Sequence, residues 1–251
     1  MTTPAIKFDL KATLKNFSNV GTIFRKELRS YFNSPVAYVV IIVFLGFIEW
    51  FYASDMFKVN LATMRDMFTL VPWIFVFVVP AITMRLIAEE RKAGTIELLT
   101  TRPLNDAEIV LGKFLAAWAL ICISLLPTLV HYITIAFLGD IDHGPVIGGY
   151  LGLMLMAGVF VAVGLFASSL TENQIVAMII GLVLMFALMI LDKILIYVPE
   201  FMNTIVEFIG VDFHFSNIAR GVIDSRDIIY FASILGFMLY LSTLSLGRRK
   251  W

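Results

Sequence analysis

The chain has 251 residues with equal numbers of basic and acidic side chains, so its formal net charge is zero. Hydrophobic residues make up 60% and charged residues 15%, whereas a soluble domain carries about 25% charged residues. This composition excludes a soluble globular domain, and the balanced charge gives no indication of a nucleic-acid partner. One cysteine excludes an internal disulfide bond. The chain has three histidines, His131, His143 and His214, and they do not have the spacing of metal ligands.

Six apolar runs are each long enough to cross a bilayer, whose hydrocarbon core of about 30 Å needs roughly 20 apolar residues per helix. The sequence therefore predicts six spans, at 36–53, 68–87, 109–138, 147–170, 174–198 and 228–246. Lys and Arg residues are unevenly distributed between the connecting segments. Fourteen of the 19 lie before span one, in the link after span two or after span six, when Arg85 and Lys113 at the adjoining ends of spans two and three are counted with that link. Because basic residues favour the cytoplasmic side, both termini are expected in the cytoplasm.

The segment 19–33 has the spacing of an amphipathic helix. One face is apolar, and the basic residues Arg25, Lys26 and Arg29 lie elsewhere on the helix; the apolar residues are Val20, Ile23, Phe24, Leu28, Tyr31 and Phe32. Pro35 then separates this helix from span one. Such a helix suits the headgroup layer of the membrane, and an ordinary juxtamembrane anchor is a compatible interpretation.

The link after span two, AEERKAGTIELLTTRP at 88–103, predicts a short helix at 95–101. Gly94 interrupts the chain, Thr95 can cap the new helix, and Pro103 ends it. A further helix is predicted to begin at Asn105, with Glu108 completing a capping box. A short helix with sharp boundaries between two long ones is typical of a segment that docks into another protein. The alternative interpretation of this link is a solvated loop.

The run AEERKAGTIELLTTRPLNDAEIVLGKFLAAW, starting at residue 88, resembles the coupling region of ABC-2 type permeases. A second run, FHFSNIARGVIDSRDIIYF at 213–231, is similar to the segment before the last span in gliding-motility-associated and nitrous-oxide-reductase maturation permeases. The resemblance covers nearly the whole chain. It implies an all-α membrane protein of the ABC-2, type V exporter-like class. Residues 1–35 would form a cytoplasmic tail with an amphipathic elbow helix, and 36–251 a six-span transmembrane domain.

The same resemblance assigns roles to individual residues. The elbow helix would use Phe24, Arg25, Leu28 and Tyr31. Contact with an ATPase subunit would be made by a cytoplasmic coupling helix and its flanks, through Glu89, Glu90, Arg91, Gly94, Thr95, Glu97, Leu98, Leu99 and Pro103. The chain has no phosphate-binding loop, because Gly112-Lys113-Phe114 lacks the earlier glycine and the following Ser or Thr. We therefore expect no catalytic or metal site in this chain, with ATP and Mg held by the partner.

The partners implied are two copies of an ABC ATPase, a second permease copy or a close relative, membrane lipid, and an optional periplasmic or auxiliary membrane protein. The expected location is the bacterial inner membrane. The chain would be a permease subunit of an ATP-driven transporter; alternatively, it would be an ATPase-driven force transmitter or anchor that moves no substrate. An intramembrane protease is disfavoured, because the pattern E-E-x-x-x-R that begins at Glu89 has Gly94 in place of Arg.

Between spans five and six, the segment 199–227 predicts either a pair of short re-entrant or interfacial helices or an ordinary outer loop. In ABC-2 permeases a similar element caps the translocation path. Polar groups within spans are costly and often functional, although structural use is the alternative here. The candidates for a pathway or outer gate are Glu49, His131, Asp192, Phe201 and Phe208. Small residues in span four suit close helix packing against unidentified partners: Gly148, Gly152, Gly158 and Gly164.

Overall fold

A computed structural model describes residues 10–53, 63–95, 105–191, 193 and 209–247. Several predicted features lie outside these residues, so the structure does not test them. They are the body of the coupling helix, with Glu97, Leu98, Leu99 and Pro103, and three of the pathway candidates, Asp192, Phe201 and Phe208.

The described chain is helical throughout, apart from its turns. Its α-helices are α1 (Leu10–Asn33), α2 (Pro35–Ile48), α3 (Arg65–Thr83), α4 (Ala88–Lys92), α5 (Asp106–Leu125), α6 (Leu129–Leu138), α7 (His143–Ser169), α8 (Gln174–Ile190), α9 (Val211–Ala219) and α10 (Ser225–Gly247). A π-helical turn, Glu49–Ala53, extends α2, and a 3-10 turn, Leu126–Thr128, joins α5 to α6. The break at this second turn coincides with Pro127, which cannot continue the hydrogen-bond ladder of a helix.

Five helical segments among the described residues are long and apolar enough to cross a membrane. They are Pro35–Tyr52, Arg65–Lys92, Asp106–Leu138, His143–Ser169 and Ser225–Gly247. A further apolar helix, α8, has 17 residues, and the run predicted there continues to residue 198, beyond the described part. The chain is therefore a multi-pass membrane protein, as its composition predicts. The predicted capping box is also present, because the Glu108 carboxylate accepts from the backbone N–H of Asn105 at 3.2 Å.

Helix α7 is the centre of the bundle. It contacts α3, α5, α8, α9 and α10, and most of its side chains are buried. Its glycines allow these close approaches, since a Cβ on Gly148 would lie 2.1 Å from the carbonyl oxygen of Ile218 on α9. A Cβ on Gly164 would lie 2.1 Å from Oγ1 of Thr83 on α3. The sequence left the packing partners of these glycines open. They are α9 at Gly148 and Gly152, α10 and α5 at Gly158, and α3 at Gly164.

Replacement of Gly164 by alanine should destabilise the bundle, because Thr83 is buried and its branched side chain has little room to move. Overpacking of this kind costs about 1–3 kcal/mol, so we expect a lower midpoint of thermal unfolding in detergent. Gly236→Ala is the matched control, because nothing lies within 4 Å of a Cβ at that helical position. Equal midpoints for the two variants would contradict the close α3–α7 contact.

Candidate functional site: a charged junction

A buried lysine joins three helices at one end of the bundle. The side chain of Lys113 on α5 is 3% exposed, and its Nζ lies 2.8 Å from Glu90 Oε1 on α4 and 3.2 Å from Glu27 Oε1 on α1. An ammonium group withdrawn from water requires such partners, since its desolvation costs several kcal/mol. We call the cluster of Glu27, Glu90, Arg91 and Lys113 the charged junction, and the end of the bundle that contains it the junction end.

The turn between α3 and α4 is held by a single hydroxyl group of α7. The backbone N–H groups of Ile87 and Ala88 both donate to Ser168 Oγ, each at 3.0 Å, and Ser168 donates to the carbonyl of Met84 at 3.0 Å. A serine hydroxyl has one donor and two acceptor positions, and all three are used here. The start of α4 is therefore fixed to α7.

The last helix is attached to the same region. Arg91 Nη2 on α4 donates to the carbonyl oxygen of Ser245 at 3.1 Å, and the hydroxyl of Ser245 donates to the carbonyl of Ser169 at 2.9 Å. Together with the bonds of Lys113 and Ser168, these contacts connect the short helix α4 with α1, α5, α7 and α10. Any displacement of α4 therefore acts on several long helices at once.

Helix α1 packs its apolar side on α5 rather than leaving it free. A Cβ on Gly112 would lie 2.6 Å from the Ile23 side chain, and Asn19 Nδ2 donates to Glu108 Oε2 at 3.1 Å. Of the residues predicted for the elbow helix, Tyr31 is buried, Phe24 and Leu28 are partly buried against the core, and Arg25 is exposed. Burial, reinforced by the nearby carboxylate of Glu27, raises the pKa of the Tyr31 hydroxyl well above its usual range, so this group stays neutral.

The residues predicted to contact an ATPase divide into two sets. Glu89, Gly94 and Thr95 are exposed, whereas Glu90 and Arg91 are half-buried and are used within the charged junction. Gly94 has φ of 65°, a conformation that glycine adopts without strain. A cleft of about 470 Å³ lies beside the junction between α1 and the end of α3. Its walls carry charges of both signs, from Lys26, Glu27, Arg85, Glu89, Glu90 and Lys113.

At the opposite end, the structure brings together two of the predicted pathway candidates. His131 Nε2 on α6 lies 3.0 Å from Glu49 Oε1, and the ring of Tyr52 meets the imidazole edge-on with centroids 5.3 Å apart. The histidine side chain is 10% exposed, but that of Glu49 is 57% exposed. The carboxylate is thus accessible while the imidazole that binds it is buried.

A second polar cluster at this end was not predicted. The Nδ1–H of His214 on α9 donates to Asp227 Oδ1 on α10 at 2.6 Å, and both side chains are buried. The Tyr230 ring stacks on the imidazole with centroids 3.8 Å apart, and its hydroxyl donates to the carbonyl of Ile209. All three side chains lie within the run 213–231, but their spacing does not predict the cluster, because His214 and Asp227 meet only after the chain turns at Gly221. Helix α9 lies in the segment 199–227, for which a pair of short helices or an ordinary outer loop was predicted; because residues 199–208 lie outside the described part, the structure does not decide between them.

A family model described as "ABC-2 family transporter protein" matches residues 21–246. The chain belongs to the ABC-2 transporter family. No curated protein matches it significantly. Members of this family are membrane permease subunits of ABC transporters, which generally carry no catalytic site of their own and work with an ABC ATPase. The match spans the charged junction and both polar clusters of the permease.

We expect Lys113→Met to destabilise the permease strongly, because it leaves Glu27 and Glu90 without their shared cation. Breaking a buried ion pair on one side costs about 3 kcal/mol or more, which should appear as a lower midpoint of thermal unfolding. Lys92→Met removes the same charge from an exposed position on α4 and should leave the midpoint nearly unchanged. Similar midpoints for both variants would show that Lys113 is solvated rather than buried.

Asp227→Ala should also lower the unfolding midpoint, since it leaves the buried imidazole of His214 without its acceptor. An unsatisfied buried donor costs about 1–3 kcal/mol. Asp140→Ala, at an exposed position near the same end, serves as the control. If the two substitutions have the same effect, the His214–Asp227 bond does not stabilise the packing of α9 on α10.

Proposed function

We propose that this permease is the membrane half of an ATP-driven ABC-2 transporter and that its charged junction passes movements of the ATPase to the transmembrane helices. In this proposal the chain has six spans, both termini lie in the cytoplasm of a bacterium, and two permeases assemble with two ATPases in the inner membrane. The observation that carries the proposal is the pair of bonds from Lys113, because they attach the link after span two to both α1 and α5.

The proposed route begins at the coupling helix, 95–101, which follows α4 directly in the chain. The ATPase would hold that helix through Glu97, Leu98 and Leu99, with Glu89, Gly94, Thr95 and Pro103 setting its position. Closure of two ATPases on ATP would displace α4. Three contacts then support transmission to the spans: Glu90 with Lys113 on α5, Arg91 with Ser245 on α10, and the Ile87 and Ala88 amides with Ser168 on α7.

The opposite end supplies the proposed outer gate. The exposed Glu49 carboxylate, held by His131, stands where α2 ends in its π-helical turn, and Asp192, Phe201 and Phe208 complete the candidate set. The His214–Asp227 bond supports α9 as the element that caps the path, because it attaches this short helix to the last span. The run 213–231, which forms α9 and the start of α10, also supports placing the chain with the gliding-motility-associated and nitrous-oxide-reductase maturation permeases.

Two variants separate attachment of the ATPase from transmission. Glu97→Arg should abolish copurification with the co-expressed cognate ATPase while membrane insertion is unchanged, because it reverses a charge at the proposed contact. Glu90→Gln should keep the ATPase bound but lower ATP-driven activity, since the amide cannot neutralise Lys113. We expect a loss of about tenfold or more, which corresponds to about 1.4 kcal/mol of coupling.

Glu172→Gln is the control for both measurements, because Glu172 is an exposed carboxylate in the link between α7 and α8. Normal assembly and activity in both test variants would overturn the proposed route. ATP hydrolysis that is stimulated by a periplasmic partner protein, with no substrate moved across proteoliposomes, would instead assign the chain to force transmission or anchoring.

A further inference from the structure

The outward side of α1 carries a basic groove that the proposed coupling does not use. The groove has a volume of about 740 Å³ and is open to solvent, and its described lining comes from the last part of α1 and the residue that follows it. Its lining residues are Thr22, Arg25, Lys26, Arg29, Ser30, Asn33 and Ser34. Three of the seven are cations and the others have polar side chains, so the described part of the groove offers many hydrogen-bond donors and no carboxylate.

The spacing of the cations places them together. Arg25, Lys26 and Arg29 are separated by one, three and four positions, so they lie on one side of the helix, and all three are exposed. Among the described residues, Arg25 and Arg29 form no salt bridge, and Lys26 approaches only Glu27, at 3.8 Å. The carboxylate of Glu27 is closer to Lys113, at 3.2 Å. The groove therefore keeps a strong positive charge.

The groove lies close in the chain to the first membrane-spanning helix. The apolar side of α1 is occupied by α5, so the exposed Arg25 and Arg29 face away from α5. Lys26 lies at the border and also lines the cleft beside the charged junction. Ser34, at one end of the groove, immediately precedes Pro35, where the first membrane-spanning helix begins. The cations thus lie within about three helical turns of the residue at which the first membrane-spanning helix begins.

We propose that this groove binds the phosphodiester headgroup of an anionic phospholipid in the leaflet at the junction end. Guanidinium groups match phosphate oxygens with paired N–H donors, and each basic side chain near an anionic membrane surface favours binding. The Ser30 hydroxyl and the Asn33 amide add neutral donors on the same side of the helix. The inference depends on the proposed membrane orientation but not on ATPase coupling.

The test compares lipid retention by the full-length permease in nanodiscs of phosphatidylcholine mixed with phosphatidylglycerol, measured by native mass spectrometry after transfer to detergent. Wild type should retain phosphatidylglycerol in preference to phosphatidylcholine. Arg25→Gln combined with Arg29→Gln should lower this preference by about tenfold or more, since two charges are lost. The matched control removes two exposed arginines elsewhere, Arg220→Gln with Arg226→Gln, and should keep the preference.

Two further measurements distinguish a lipid site from a general effect of charge or a site for free anions. Arg25→Lys combined with Arg29→Lys keeps the charge and should keep most of the preference, with an unfolding midpoint in phosphatidylcholine equal to that of wild type. Inorganic phosphate at millimolar concentration should not displace the retained lipid. Displacement by phosphate would show a site for free anions and overturn the lipid assignment, as would an undiminished preference in the Gln double variant. Neither readout involves ATP hydrolysis, so failure here is distinguishable from failure of the proposed transport function.

Discussion

An ammonium group is stable away from water only where carboxylates neutralise it, and this requirement determines the arrangement of the junction end. Lys113 lies on α5, an apolar helix, with its side chain 3% exposed. The two carboxylates that satisfy it come from different helices, Glu27 from α1 and Glu90 from α4. Neither helix can move away alone without leaving buried charge behind, so α1, α4 and α5 are held as one unit.

The backbone near α4 depends on a second requirement, that buried amide groups be hydrogen-bonded. The turn after α3 interrupts the helical ladder, and Ser168 replaces the missing acceptor for two amides. This replacement is possible because α7 approaches α3 closely at Gly164, one helical turn before Ser168 and on the same side of the helix. A larger side chain at Gly164 would separate the helices and withdraw the hydroxyl group from the turn. Gly164 and Ser168 therefore act together to hold the start of α4 against α7.

The sequence predicted the structural features that depend on residues close together in the chain. Span positions follow from the length of apolar runs, and the capping box at Asn105 follows from residues three positions apart. The inward direction of Glu90 was not predictable, because its partner Lys113 lies 23 residues away on another helix. For the same reason the glycines of α7 predicted close packing but not its partners. His214 and Asp227 are separated by 13 residues and a turn, and nothing in their spacing indicates that they meet.

Three sides of helix α1 have different surroundings. Its apolar side packs on α5, Glu27 reaches the buried Lys113, and the neighbouring Lys26 belongs to the basic groove. A lipid in that groove and an ATPase acting on α4 would therefore bias the same helix. Coupling free energies between two binding sites are reciprocal. If engagement of the ATPase shifts α1, the affinity of the groove for an anionic lipid must change by the same factor by which the lipid changes the affinity for the ATPase. Membrane composition and ATPase engagement would then be linked through a single buried lysine.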